Sequence, residues 1–214
     1  QVKEKMSGLA GVRSKALVTV MDASSEIHAQ EFGEVQFTGQ SLSGIVIFNL
    51  SHTAGEMLQD GESVSLCLDL VPDINEADLY MHFRKFRTNN PERSLQACLN
   101  GFVHEKLATY ILEQCRWKQE RISELNDVEL QKLADQIKKL TFHVTATAGA
   151  EDAQVSRGGA DTRFIDPETM KLTVQEHVYV IGELLDTDGI CGGYNLMWAV
   201  ITGMKAGFSI YDSN

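Results

Sequence analysis

The 214 residues contain no C-x-x-C pair; the four cysteines, Cys67, Cys98, Cys115 and Cys191, stand far apart. That spacing argues against a zinc ribbon or a dithiol redox pair and suits a reducing cytosol. Basic side chains are scarce, 19 against 30 acidic ones, for a formal net charge of −11. A chain this acidic is repelled by phosphate backbones and anionic lipid, so neither nucleic acid nor a membrane surface is an expected partner. No basic stretch leading into an apolar run opens the chain, so no signal peptide is visible and the expected location is cytoplasmic. The first residue is Gln1 rather than Met, as expected of a piece cut from a longer protein. Internal repeats and low-complexity segments are also missing. With 43% hydrophobic and 23% charged residues, what remains is a globular chain long enough for one large domain or two small ones.

Residues 14–69 read as strands. Lys15–Val20, Glu31–Phe37, Gly44–Leu50 and Ser63–Leu70 are rich in β-branched residues, with Gly or Ser clusters between them. In the last of these, Val64, Leu66, Leu68 and Leu70 alternate with polar or small residues, which buries one face. Short strands on tight turns predict a small antiparallel sheet or barrel. Beyond residue 74 the period changes, and helices are predicted over Ile74–Arg87, Leu95–Arg116 and Asp127–Leu140, with Pro91 as a break. Asn126 with Glu129 fits a capping box ahead of Leu130, Leu133, Ile137 and Leu140. This part is therefore expected to be α+β, a β-rich, barrel-like sheet with a helical subdomain.

A third composition begins near Gly149, and 8 of the 17 glycines fall in the last 57 residues. His177–Ile181 reads as a short buried strand. Tyr194–Tyr211 is almost wholly apolar, with Lys205 its only charge. Its length touches the lower edge for a membrane span, but no basic flank follows it, so a buried helix packed on a sheet is expected. Ala199, Gly203 and Gly207 recur every four residues and give that helix one smooth face for close backbone approach.

Few constellations survive as candidate chemistry. His104-Glu105 begins like H-E-x-x-H, but position 108 is Ala, so a zinc ligand is missing. His52 and Glu56 read as a surface pair, and no metal site is expected. Arg84, Lys85, Arg87 and Arg93 surround the Asn89-Asn90-Pro91 turn; a solvated helix end is favoured there over a seat for a dinucleotide phosphate. Cys191 precedes a helix N-terminus that would favour a thiolate, which leaves a thiol enzyme as an alternative, although no His or Asn pattern supports a nucleophile. The strongest unit runs from Val178 to Leu196: a strand ending at Gly182, an acidic loop, and Gly192-Gly193 opening a helix. Glycines there let a ligand reach backbone N–H groups at the positive end of the helix dipole. A plain glycine-rich turn has the same spacing.

The run GELLDTDGICGGYNLMWAVITGMKAG at 182–207 resembles the C-terminal signature of bacterial NAD(P)/FAD-dependent oxidoreductases of the BaiN/RdsA type. Two further stretches agree in order. VSRGGADTRFIDPETM at 155–170 resembles the family's V-T-x-G-G-V…I-x-P-x-T-M segment, and GEVQFTGQSLSG at 33–44 resembles G-E-x-L-F-T-x-x-G-x-S-G. Ser156-Arg157 replaces the commoner Thr-Ala, and Ser41 stands where Gly is usual. The family's opening G-x-G-x-x-G, which cradles the FAD pyrophosphate, occurs nowhere in this chain.

The resemblance implies that residues 1–150 are an inserted middle domain and residues 151–214 the C-terminal part of an FAD-binding domain, a partial α/β segment. It implies a flavoenzyme parent that moves hydride between a nicotinamide donor and an organic substrate, and an isolated chain that is inactive and holds little or no flavin. Gly182 and Glu183 match the strand-end Gly-Glu near the flavin side chain, and Gly192, Gly193, Tyr194 and Asn195 match the G-G-Y-N near the flavin ring. Asp186 and Asp188 are either solvated loop acids or cofactor contacts. No general acid or base has a supporting partner. A non-catalytic binding module is the other alternative. Without the rest of an FAD domain, residues 151–214 are expected to self-associate or to fold back on the middle domain.

Overall fold

The computed structural model describes residues 1–149, 151, 153, 155 and 157–212. They form two compact units, Gln1–Thr147 and Ala148–Asn214.

The first unit is built on five antiparallel strands: β1 (Arg13–Met21), β2 (Ile27–Phe37), β3 (Leu42–Ser43), β4 (Val64–Asp69) and β5 (Leu140–Val144). Their order is β3-β2-β1-β4-β5 in a curled half-barrel. The period-2 reading of β4 holds, with Val64, Leu66 and Leu68 buried. The N-terminal segment narrows the gap between the outer strands. Val2 donates to the Gln40 carbonyl beside β3, while Lys3 donates to His143 and Thr145 to Gln1 along β5.

Around the sheet stand α1 (Ile45–Gln59), α2 (Glu76–Asn89), α3 (Leu95–Leu99), α4 (Glu105–Cys115) and α5 (Asp127–Lys138). The capping box forms as read: the Asn126 side chain accepts from the Glu129 N–H at 3.0 Å, and the Glu129 carboxylate accepts from the Asn126 N–H at 2.8 Å. Phe37, Phe142 and Tyr110 meet at the centre of the core, with Tyr110 stacked on Phe142 at 6.2 Å.

Two expectations for this unit change. Gly44–Leu50 is no strand: Gly44 takes φ +106 as the cap of α1, which runs on to Gln59 and buries Val46, Leu50, Ala54 and Met57. That helical spacing outweighs the strand propensity of Ile45, Val46 and Ile47 because it matches the face that packs on β2. A Cβ on Gly33 would collide with Val46 Cγ2, and one on Gly44 would lie 2.5 Å from the Glu34 carbonyl. Gly33 and Gly44 of the motif thus let helix and strand close together. Ser41 fits where Gly is usual because its φ is not positive; its N–H donates to Thr38 Oγ1 at 2.9 Å. The helix expected over Leu95–Arg116 is two, α3 and α4, and the His104 ring nitrogen Nδ1 caps the second by accepting from the Lys106 N–H at 3.2 Å.

The second unit holds one α-helix, α6 (Tyr194–Asp212), and no strand among its described residues. His177–Ile181 is therefore not a strand. Residues 170–172 and 178–180 exchange a few backbone bonds, with Met170 and His177 both at φ +60, and the segment is half-buried at most. Its small core gathers Ile165, Met170, Leu185 and Ala206, with Leu172, Tyr179, Val180 and Trp198 beside them. α6 is a helix as expected, but the described residues of its unit form no sheet for it to lie on, and most of its large apolar side chains are exposed.

Candidate functional site

The loop between Ile181 and α6 brings the proposed site residues into one stretch of backbone. Gly182 opens a short 3-10 turn, Gly182–Leu184, at φ +61, and its amide donates to Thr202 Oγ1 at 2.9 Å. The same hydroxyl donates back to the Trp198 carbonyl at 2.7 Å. A Cβ on Gly182 would sit 3.4 Å from that of Ala199, and Gly203 lies under Ile181. The smooth face expected on α6 is used at Ala199 and Gly203, by the chain that leads into the loop.

Residues 157–160 run beside 184–188. Ala160 donates to the Leu184 carbonyl at 2.7 Å and accepts from the Asp186 N–H at 3.0 Å. Gly159 makes this approach possible, since a Cβ there would lie 2.5 Å from the Leu184 oxygen. Arg157 Nε meets Asp188 Oδ1 at 3.0 Å, so Asp188 serves as an anchor of the loop. Ser156, the other departure from the family motif, lies outside the described residues. Farther along, the Arg163 guanidinium beside Asp161 lowers that carboxyl's pKa, while the Glu168 N–H and the Thr169 hydroxyl lower that of Asp166.

Asn195 is fully engaged at the head of α6. Its Oδ1 accepts from the Gly189 N–H at 2.7 Å and its Nδ2 donates to the Gly189 carbonyl at 2.9 Å. The side chain therefore clamps the loop and has little left for a ligand. Gly192 and Gly193 turn the chain at φ +131 and +95, conformations that favour glycine. Nothing lies within 4 Å of where a Gly193 Cβ would be. The first backbone bond of α6 runs from the Met197 N–H to the Gly193 carbonyl. The N–H groups of Tyr194, Asn195 and Leu196 have no acceptor among the described residues. The buried indole N–H of Trp198 is likewise without one among them. Glu183 and Tyr194 are exposed.

These features suit an electron-rich ring edge. An open turn, three amide donors and the positive end of a helix dipole would hold the N1/C2 side of a flavin. They do not supply a seat for its pyrophosphate, because the glycine fingerprint for that role is missing from the 214 residues.

The other candidates resolve into structure. His52 pairs with Glu56 at 3.2 Å along α1. Arg87 binds the Leu125 carbonyl and Asp127, tying α2 to α5, while Arg84, Lys85 and Arg93 are exposed. Among the described residues no group of His, Cys, Asp and Glu could hold a metal ion, and no helix is long and apolar enough to cross a membrane.

A curled antiparallel half-barrel with its helices, followed by a segment that ends in a glycine-opened helix, fits a barrel and H2TH domain followed by a Rossmann segment. The chain belongs to the HI0933-like family, the BaiN/RdsA-type flavoproteins. Its residues 1–155 match the HI0933-like protein barrel and H2TH domain, and residues 130–209 match the HI0933-like protein Rossmann domain. It is 32% identical over 206 residues to the 3-dehydro-bile acid delta(4,6)-reductase of Clostridium scindens, covering 96% of this chain and 50% of that protein. It is 28% identical over 205 residues to the ribosomal RNA dihydrouridine synthase of Haemophilus influenzae, covering 96% and 48%. The Escherichia coli protein of the same name is 28% identical over 197 residues, covering 92% and 46%. The chain thus spans about half the length of the curated relatives it matches.

Proposed function

We propose that this chain supplies the flavin-ring side of an FAD-dependent oxidoreductase that passes hydride from a nicotinamide donor to an organic substrate. One observation carries the reading: the head of α6, where Gly193 leaves open space before three amides that have no acceptor among the described residues. FAD, when bound, supplies the redox chemistry. The chain's residues do the rest. The amides of Tyr194–Leu196 would stabilise negative charge at the ring edge, Gly182 and Glu183 would border the flavin side chain, and Asn195 would hold the turn in shape. Residues 1–150 would act as an inserted domain that covers the flavin face and contributes to substrate choice.

Absorbance at 450 nm tests this. The chain alone is expected to leave gel filtration colourless, because the pyrophosphate seat is missing. Joined to a βαβ unit carrying G-x-G-x-x-G, it should elute with stoichiometric flavin. Gly193→Val in that longer protein should abolish flavin retention and leave the first unit folded by circular dichroism. Normal flavin content in the variant would reduce Gly193 to a turn residue and overturn the reading.

A further inference from the structure

Helix α6 holds the 182–189 loop at two points on one of its faces. Asn195 and Thr202 are two turns apart, about 10 Å along the helix axis. Their partners in the loop follow in the opposite order. Asn195 Oδ1 accepts from the Gly189 N–H at 2.7 Å, and Thr202 Oγ1 accepts from the Gly182 N–H at 2.9 Å. The loop therefore climbs antiparallel to α6, from Thr202 to the head of the helix. Its residues between the two ties could reach about 23–25 Å if extended, so the loop must bow between them. The bow is tied in turn, by Ala160 to Leu184 and Asp186 and by Arg157 to Asp188.

Thr202 is 1% exposed and, with Thr19, is one of two buried polar side chains among the described residues. Its hydroxyl proton goes to the Trp198 carbonyl at 2.7 Å, the back-bond of a helical threonine, which leaves the oxygen's lone pairs for the Gly182 amide. Gly182 is itself buried, at φ +61, with Ala199 against it. A back-bond alone does not call for this second bond, which joins residues 20 apart in sequence.

We infer that Thr202 is a positioning residue for the cofactor site. Its hydroxyl fixes the lower end of the loop, so that the turn carrying Glu183 and the open head of α6 are held in one geometry. This inference rests on the flavin reading above. Valine at position 202 keeps the branched shape but strands a buried amide, whereas serine keeps the hydroxyl and loses only a methyl group.

In the 214-residue chain, Thr202→Val should speed hydrogen exchange at the Gly182 amide at least about tenfold, and Thr202→Ser should stay within about threefold of the wild type. In the longer protein carrying G-x-G-x-x-G, Thr202→Val should raise the flavin Kd about tenfold and alter the visible circular dichroism of the bound flavin. Thr202→Ser should restore both. Faster exchange with wild-type flavin affinity and spectrum would make Thr202 a structural tie and overturn the proposal, as would unchanged exchange. A serine variant that behaves like the valine one assigns the role to the methyl group and also rejects it. Failure of the flavin reading is seen separately, as normal flavin content in Gly193→Val. Loss of flavin in that variant, with Thr202→Val like the wild type, removes only the role of Thr202.

Discussion

Lys138 shows what a single charge demands when the fold draws it inward. Its Nζ lies 2.6 Å from Asp69 Oδ2, with the two side chains only 12% and 19% exposed, and it also donates to the carbonyls of Val71 and Ile74. Lys138→Met keeps the stem but strands Asp69 and two carbonyls, and is expected to cost about 2–4 kcal/mol in urea unfolding. Lys139→Met, which breaks the exposed contact to Glu76, should cost no more than about 1 kcal/mol. The buried thiols and phenol set an alkaline limit. Burial pushes Cys98 up to about 12, Cys115 to about 11 and Tyr110 to about 12. Each folded value lies above its unfolded one, so the neutral form is favoured in the fold. The stability this gives is complete below the unfolded values of about 8.5 for thiols and 10 for phenol, and is lost as pH rises through 11–12. The urea midpoint should therefore be flat to about pH 8 and fall beyond pH 9. Asn195→Ala should leave α6 intact but release the Gly189 amide, seen as faster hydrogen exchange at that residue; unchanged protection would mean the clamp is dispensable.

At the scale of elements, the 33–44 motif and α1 form one device. Gly33 lets the helix approach β2, Gly44 turns the chain at φ +106, and the Thr38–Ser41 hydroxyls close the turn between them. Gly44→Ala places a Cβ 2.5 Å from the Glu34 carbonyl in a left-handed conformation, and should cost about 1–3 kcal/mol by thermal or urea unfolding. A variant as stable as the wild type would show that α1 can pivot away from β2. The motif was legible as a family mark, yet the helix it introduces was read as a strand. Ile45-Val46-Ile47 carries a strand-like composition, and only the longer spacing of Val46, Leu50, Ala54 and Met57 shows the helix. Similarly, His177–Ile181 has the composition of a buried strand, but the described residues of the second unit form no sheet for it to join.

On the scale of the molecule, the two units answer different questions. The first has a core in which Phe37, Phe83 and Phe142 are fully buried. The second has a small core and a helix that is apolar on most sides. The relatives include a bile acid reductase and ribosomal RNA dihydrouridine synthases at similar coverage, so length of match does not choose the substrate. The donor is open to direct test. Under the proposed function, a flavin-loaded longer protein should bleach at 450 nm when mixed anaerobically with NADPH or NADH. No bleaching by either would remove the nicotinamide from the scheme.

The residues alone determined the order of the parts and the family. Alternation in β4, the Asn126–Glu129 box and the 182–207 run are local patterns, written in neighbouring positions and insensitive to what lies across the core. Tertiary structure decided whatever depends on a distant partner. It made 45–59 a helix because β2 offers Gly33 and a groove for it. It engaged the side-chain amide of Asn195 with Gly189 and the carboxylate of Asp188 with Arg157, so that both hold the loop. It also chose the side of α6 that buries Thr202 and Ala206, because apolar spacing says that a face seeks cover but not which surface provides it.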